Sequence, residues 1–166
     1  TFLDLPYFLN EAPVGADELS LRLLKRLATG TDAQAQAELG RIGGATLPSI
    51  LPRLDQFPSD LRERVAVALL PVAKRMGLEA SLPVGERHDV AAFWSHFWDE
   101  HTLDFTTASA ERAVTRYAQH GGDDRLRALR LIDTFALPAV FAELKKSDQH
   151  EQQMRLIQLA SLVTSL

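Results

Sequence analysis

Glu38–Leu54 reads ELGRIGGATLPSILPRL, and Ala128–Leu144 reads ALRLIDTFALPAVFAEL. At an offset of 90 residues, Leu39 falls on Leu129, Ile42 on Ile132, Leu47-Pro48 on Leu137-Pro138, Ile50 on Val140, Leu51 on Phe141 and Leu54 on Leu144. The matched positions are apolar or proline, and no polar residue with a chemical task is carried from one block to the other. Each block reads as a helix, a turn and a second helix opened by Leu-Pro, where the missing proline N–H costs no hydrogen bond. Self-similarity of this kind predicts stacked helical hairpins, each with an apolar side that it cannot bury alone.

Working outward, apolar residues keep spacings of three and four from Leu19 onward without sustained two-residue alternation, which predicts helix throughout. A lead-in over residues 1–16 is too apolar for a free tail and too irregular for an amphipathic helix. The first helix is expected over Asp17–Ala28, stopping at Gly30, and Thr31-Asp-Ala-Gln34 reads as a capping-box start for a second that ends near Gly43-Gly44. Pro48 opens a third helix and Pro52 should bend or shorten it. Pro58-Ser59 opens a long fourth helix, kinked at Pro71 and closing at Met76-Gly77. Residues 78–86, with Pro83 and Gly85, form an internal connector rather than a domain boundary. Further helices are expected over Arg87–Thr102, Thr107–His120, Asp123–Thr134, Leu137–Lys146 and Asp148–Thr164, the last with a capping-box-like Asp148-Gln-His-Glu151 start. Gly121-Gly122 is the stop signal between two of them. The expectation is one all-α domain of about eight or nine antiparallel helices over residues 1–166.

LGRIGGATLPSILPRL resembles the HEAT-repeat pattern, and LIDTFALPAVFAELKK is a looser copy; the resemblance implies an α-solenoid. GGATLPSILPRLD, RVAVALLPVAKRMGL and FWSHFWDEHTLDF are together similar to segments of helical, extracytoplasmic insertions in bacterial binding-protein-dependent ABC transporter permeases. That second resemblance implies a soluble domain of a membrane transport protein, on the periplasmic side. It fits a chain that opens on Thr1 without a signal peptide and closes inside an expected helix, as a fragment of a longer protein does.

Composition narrows the function classes. Of the 166 residues, 46% are hydrophobic and 24% charged, ordinary globular values, and no apolar run approaches the roughly 20 residues that span a bilayer. Eighteen Lys and Arg stand against 22 Asp and Glu, for a net charge of -4 and a pI near 5.7. That balance disfavours nucleic acid, whose binding needs clustered cations. Without cysteine there is neither disulfide nor thiolate-metal site.

Both tryptophans lie in one expected helix. Val90, Phe93, Trp94, Phe97, Trp98 and His101 share one broad arc at about 100° per residue, the stripe of a core-facing surface. Trp94, Trp98 and His101 are the candidate binding residues: the stripe is expected to pack into the core, with one of the two tryptophans at the arc's edge available to a ligand. His96, Asp99, Glu100, His101 and Asp104 invite a metal or acid–base reading, but His96 and His101 stand about 140° apart around the helix and cannot chelate one ion. No metal and no cofactor is expected. Arg112, Arg116, Arg125, Arg127 and Arg130 are interleaved with Glu111, Asp123, Asp124 and Asp133, which reads as a salt-bridged surface. Gly40, Gly43 and Gly44 lack the order of a phosphate loop, and no serine sits in a GxSxG elbow.

The sequence therefore predicts a non-enzymatic helical-repeat scaffold, with no catalytic residue, that recognises a protein or peptide or the rest of its own parent chain. It would meet a membrane only through that parent. The competing class is a HEAT-like DNA glycosylase using Trp94 or Trp98 with a carboxylate such as Asp99, which the acidic pI opposes.

Overall fold

The computed structural model of the chain describes residues 12–30 and 32–164. Residues 1–11 of the expected lead-in, and Thr31 of the expected capping box, lie outside the described residues. The described residues form helices and short 3-10 turns, with no strand among them. The helices are α1 (Ala12–Ala28), α2 (Ala33–Ile42), α3 (Leu47–Ile50), α4 (Ser59–Ala68), α5 (Leu70–Arg75), α6 (Arg87–His101), α7 (Thr107–His120), α8 (Asp123–Ile132), α9 (Leu137–Lys146) and α10 (His150–Thr164). Single 3-10 turns, Gly43–Thr46 and Asp133–Ala136, join α2 to α3 and α8 to α9.

The offset of 90 governs more than the two blocks that reveal it. Both limits of α2 and α8, both limits of the two 3-10 turns and the starts of α3 and α9 coincide under it. By order and packing α1 then corresponds to α7, and α4 to α10. Only α6, with the connector before it, has no counterpart among the described residues.

Where the copies differ, prolines explain the difference. Pro52 ends α3 at Ile50 and the chain continues as a 3-10 segment over Leu51–Gln56, whereas the corresponding Ala142 lets α9 run unbroken to Lys146. Pro71 divides the expected fourth helix into α4 and α5 at Leu69, whose ψ is -3°. Its counterpart Ser161 leaves α10 continuous to Thr164.

Several helix ends depart from expectation. α1 starts at Ala12 rather than Asp17, so residues 12–16 of the lead-in are helical; Pro13 falls in the first turn, where proline is tolerated. Asp32 is the N-cap of α2, accepting from Ala35 N at 2.9 Å and from Arg26 Nε at 2.8 Å. α10 starts at His150, two residues beyond Asp148, and Gln153 Nε2 ties its first turn to Ser147 O at 2.7 Å. Gly121, at φ 59°, ends α7 as expected.

One buried cluster runs from Leu19 in α1 to Val163 in α10. Leu39, Leu129, Leu47, Leu137, Ile50 and Val140 all lie in it without measurable exposure, so these matched positions of the repeat are core positions, while Phe141 and Leu144 pack against the cluster half-buried. Burying each such side chain contributes about 1.5–3 kcal/mol, which is why these positions and not the surface ones are held in common.

The two turns of the repeat pack directly on each other. Ala45 N donates to Thr134 Oγ1 at 2.9 Å, and Thr134 Oγ1 donates in turn to Ile42 O. Gly44 approaches the backbone of Ile132 so closely that an added Cβ would stand 2.5 Å from Ile132 O. Ile42 thus meets the counterpart of Gly44, and Gly44 meets the counterpart of Ile42, the reciprocal pattern of a two-fold contact.

Candidate functional site

The aromatic helix α6 is set by a capping box in which Glu86 N donates to Asp89 Oδ2 at 3.0 Å. It packs against α4 and the 3-10 segment Leu51–Gln56. Trp94 is fully buried and donates from Nε1 to Ala66 O at 3.1 Å, so it presents no face to a ligand. Phe93 and Phe97 meet its ring edge-on at 5.3 and 5.6 Å. Trp98, half-buried, lies 5.6 Å from Phe105, and Phe105 lies 5.5 Å from Phe135 in the second turn. His101, also half-buried, packs on Phe97 at 4.6 Å, with Nδ1 2.9 Å from Asp104 Oδ2. The three candidate residues therefore share one helix but not one site: Trp94 faces the core, while Trp98 and His101 edge it.

Phe135 replaces Ala45 of the first copy, and its ring continues the aromatic ladder from α6 into the second half. The link between the halves is in this way anchored at both ends.

The titratable residues of α6 do not converge. His96 pairs with Glu100 at 3.3 Å on an exposed face, and among the described residues no three His, Asp or Glu side chains are placed to hold a metal ion. The arginine-rich stretch is less salt-bridged than its charge pattern predicts. Arg127 pairs with Asp124, but Arg125 donates to Gly121 O at 3.1 Å and Arg130 to Arg75 O at 2.7 Å. These guanidinium groups satisfy carbonyls at helix ends, where the helix dipole favours a cation. Asp133 leaves the surface altogether.

Asp133 is the polar centre of the molecule. Its side chain has no exposure, Oδ1 accepts from Arg75 Nε at 2.7 Å, and Oδ2 accepts from Arg75 Nη2 at 2.7 Å and from Gly44 N at 2.8 Å. Arg75, 14% exposed, also donates to Gly40 O at 3.2 Å. One bidentate pair therefore ties α5, the end of α2 and both turns. Asp133 holds φ at 52°, the only positive value among the described non-glycine residues. Its counterpart is Gly43, at φ 71°. A Cβ on Gly43 would lie 2.0 Å from Arg75 Nη2 and 2.3 Å from Asp133 Oδ2, so the first copy has glycine where the second copy's ion pair takes the space. The Thr46 hydroxyl completes the turn by donating to Gly43 O at 2.7 Å.

Sequence reasoning placed Asp133 among surface charges, because the sequence neighbours of Asp133 include Arg130 but its partner stands 58 residues earlier. The one available signal was the repeat itself: an aspartate aligned with a turn glycine. A second feature without a sequence signal is the outer face of α10, where Met154 and Ile157 are about half exposed (51% and 53%) and Leu162 is 38% exposed.

No known family, curated protein or solved structure matches this chain.

Proposed function

We propose that this chain is a non-enzymatic helical-repeat scaffold that recognises a protein or peptide. Within each half, the hairpins would stack in the HEAT-like manner that the Leu-Pro blocks resemble, and the two-fold contact at the turns would join the halves. The observation that carries this reading is where the buried polar groups point. Asp133 and Thr134 spend their hydrogen bonds on the seam between the repeats, and Thr46 spends its own inside the first turn, so the strongest polar arrangement serves rigidity. A rigid frame with apolar residues at its surface is suited to recognition of another polypeptide.

The test is selection of helical peptides displayed on phage against the purified chain, beside incubation with duplex DNA carrying alkylated bases. Saturable peptide binding with intact DNA is expected; base excision would replace the scaffold by an enzyme. The resemblance to transporter permease insertions extends the proposal to a domain outside the cytoplasmic membrane of a bacterium. These 166 residues hold no cysteine, so Val84→Cys on the exposed connector adds one label site within them, and the unsubstituted parent chain is the control for labelling elsewhere. Labelling of intact cells by a membrane-impermeant maleimide supports that placement, and labelling only after lysis overturns it.

A further inference from the structure

We propose that the outer face of α10 docks an amphipathic helix of a partner polypeptide bearing an aromatic stripe like that of α6. The inference rests on the protein-recognition reading and assigns it a site. Its source is the inequality of the two copies. In the first, α4 packs on α1, α2 and α6. In the second, α10 packs on α7 and α8, the counterparts of α1 and α2, and on α9, and no described helix takes the place of α6.

The uncovered side is the apolar one. Met154 and Ile157 are about half exposed and Leu162 more than a third, at spacings that put them on one face with Gln158. The same positions in the first copy are withdrawn from solvent: Arg64, aligned with Met154, is 21% exposed; Val67, aligned with Ile157, is half-buried; and Ala68, aligned with Gln158, is 6% exposed. Leu126 of α8 borders this face on one side, and the Glu151–Arg155 ion pair closes its N-terminal end. Isolated exposed apolar residues need no explanation, but a contiguous stripe on a helix face marks an interaction surface. In the first half α4 is covered by α6, a helix that inserts Trp94 against Ala66, with Phe97 beside it. The molecule thus contains its own example of the occupant, and helix-in-groove recognition supplies the general mode.

The probe is a synthetic, fluorophore-labelled peptide of the α6 sequence, Arg87–His101, titrated against the intact chain by anisotropy, with the protein's mass measured by light scattering. Saturable binding is expected, weakened by about tenfold or more by Ile157→Asp in the protein, a solvent-facing change that leaves thermal unfolding intact, and by Trp94→Ala in the peptide. Binding unchanged by Ile157→Asp, or no binding above that of a scrambled peptide, overturns the proposal. So does a dimer that Ile157→Asp dissolves, because a second copy would then be the occupant. If displayed peptides bind the chain while this peptide does not, the α10 site falls and the recognition reading stands; if none binds, both fall.

Discussion

Asp133 holds Arg75 through both carboxylate oxygens, each at 2.7 Å, from a backbone that non-glycine residues rarely adopt. Positive φ costs a residue with a Cβ about 1–3 kcal/mol, and three charge-assisted or backbone donors offset it. Asp133→Ala keeps the backbone strain and leaves a mostly buried guanidinium without its partner, an expected loss of about 3–5 kcal/mol. Asp133→Gly loses the same partner but relieves the strain, so it should be the milder variant by about 1 kcal/mol. Urea unfolding followed by circular dichroism separates the two; equal losses would mean that the backbone at this position is not strained.

Two glycines four residues apart are expected to respond with opposite signs. At Gly40 an added Cβ meets nothing closer than Ala68 O at 3.6 Å, so Gly40→Ala should stabilise α2 by about 0.5–1 kcal/mol. At Gly44 the Cβ would stand 2.5 Å from Ile132 O and 2.7 Å from Asp133 Cβ, and the turns would have to separate. A loss of about 1–3 kcal/mol is expected for Gly44→Ala, read in the same unfolding experiment. A destabilised Gly40→Ala would show that α2 is packed more tightly there than these distances allow.

The cap of α2 gives a pH dependence. Hydrogen bonds from Ala35 N and then from Arg26 hold the Asp32 carboxyl below its ordinary value of 3.8. A carboxyl lowered in the folded state contributes stability that is complete above its unfolded value and is lost as pH falls through the folded one. Between pH 7 and 5 the native chain and Asp32→Asn should therefore show parallel stability profiles. Below about pH 4 the native chain should fall more steeply than the variant, whose amide can still cap but cannot titrate. Thermal melts across that range check it, and profiles that remain parallel to pH 2.5 would remove Asp32 as the cause.

The tryptophans should separate by burial. Trp94→Ala opens a cavity and orphans the Ala66 carbonyl, for an expected loss of about 3–5 kcal/mol. Trp98→Ala, at the half-buried edge, should lose less than about 2 kcal/mol. Unfolding monitored in the far ultraviolet provides the comparison, since each variant retains one indole; comparable losses would place Trp98 in the core with Trp94.

The sequence carried the period, because the cost of exposing leucine or isoleucine repeats wherever the same hairpin repeats. Leu39, Ile42 and Leu47 with their partners 90 residues on were legible for that reason, and so was the inward-facing arc of α6, but not which of its two tryptophans the core would take. How the copies meet was not legible, because a translation and a two-fold rotation leave the same apolar spacing. The Arg75–Asp133 bond lay beyond local reasoning as well: charge patterning sees Asp133 beside Arg130, not across a turn from α5. The start of α1 was not legible, because the lead-in before Asp17 is too irregular to read as an amphipathic helix, although Pro13 sits in a first turn, which accepts proline. The uncovered face of α10 depends on which helix lies over which, a fact of tertiary arrangement alone.

Gly43 and Asp133 stand at equivalent places beside one axis, where there is room for a single carboxylate and a single guanidinium. Two identical chains meeting through this turn would be forced to present either two aspartates, crowding and repelling each other, or two glycines, leaving the arginine without a counter-charge. A continuous chain escapes that restriction, since its two copies are free to differ. The asymmetry at this pair of positions makes the joint a lock with one key, and the halves of this protein cannot be exchanged for each other without losing it.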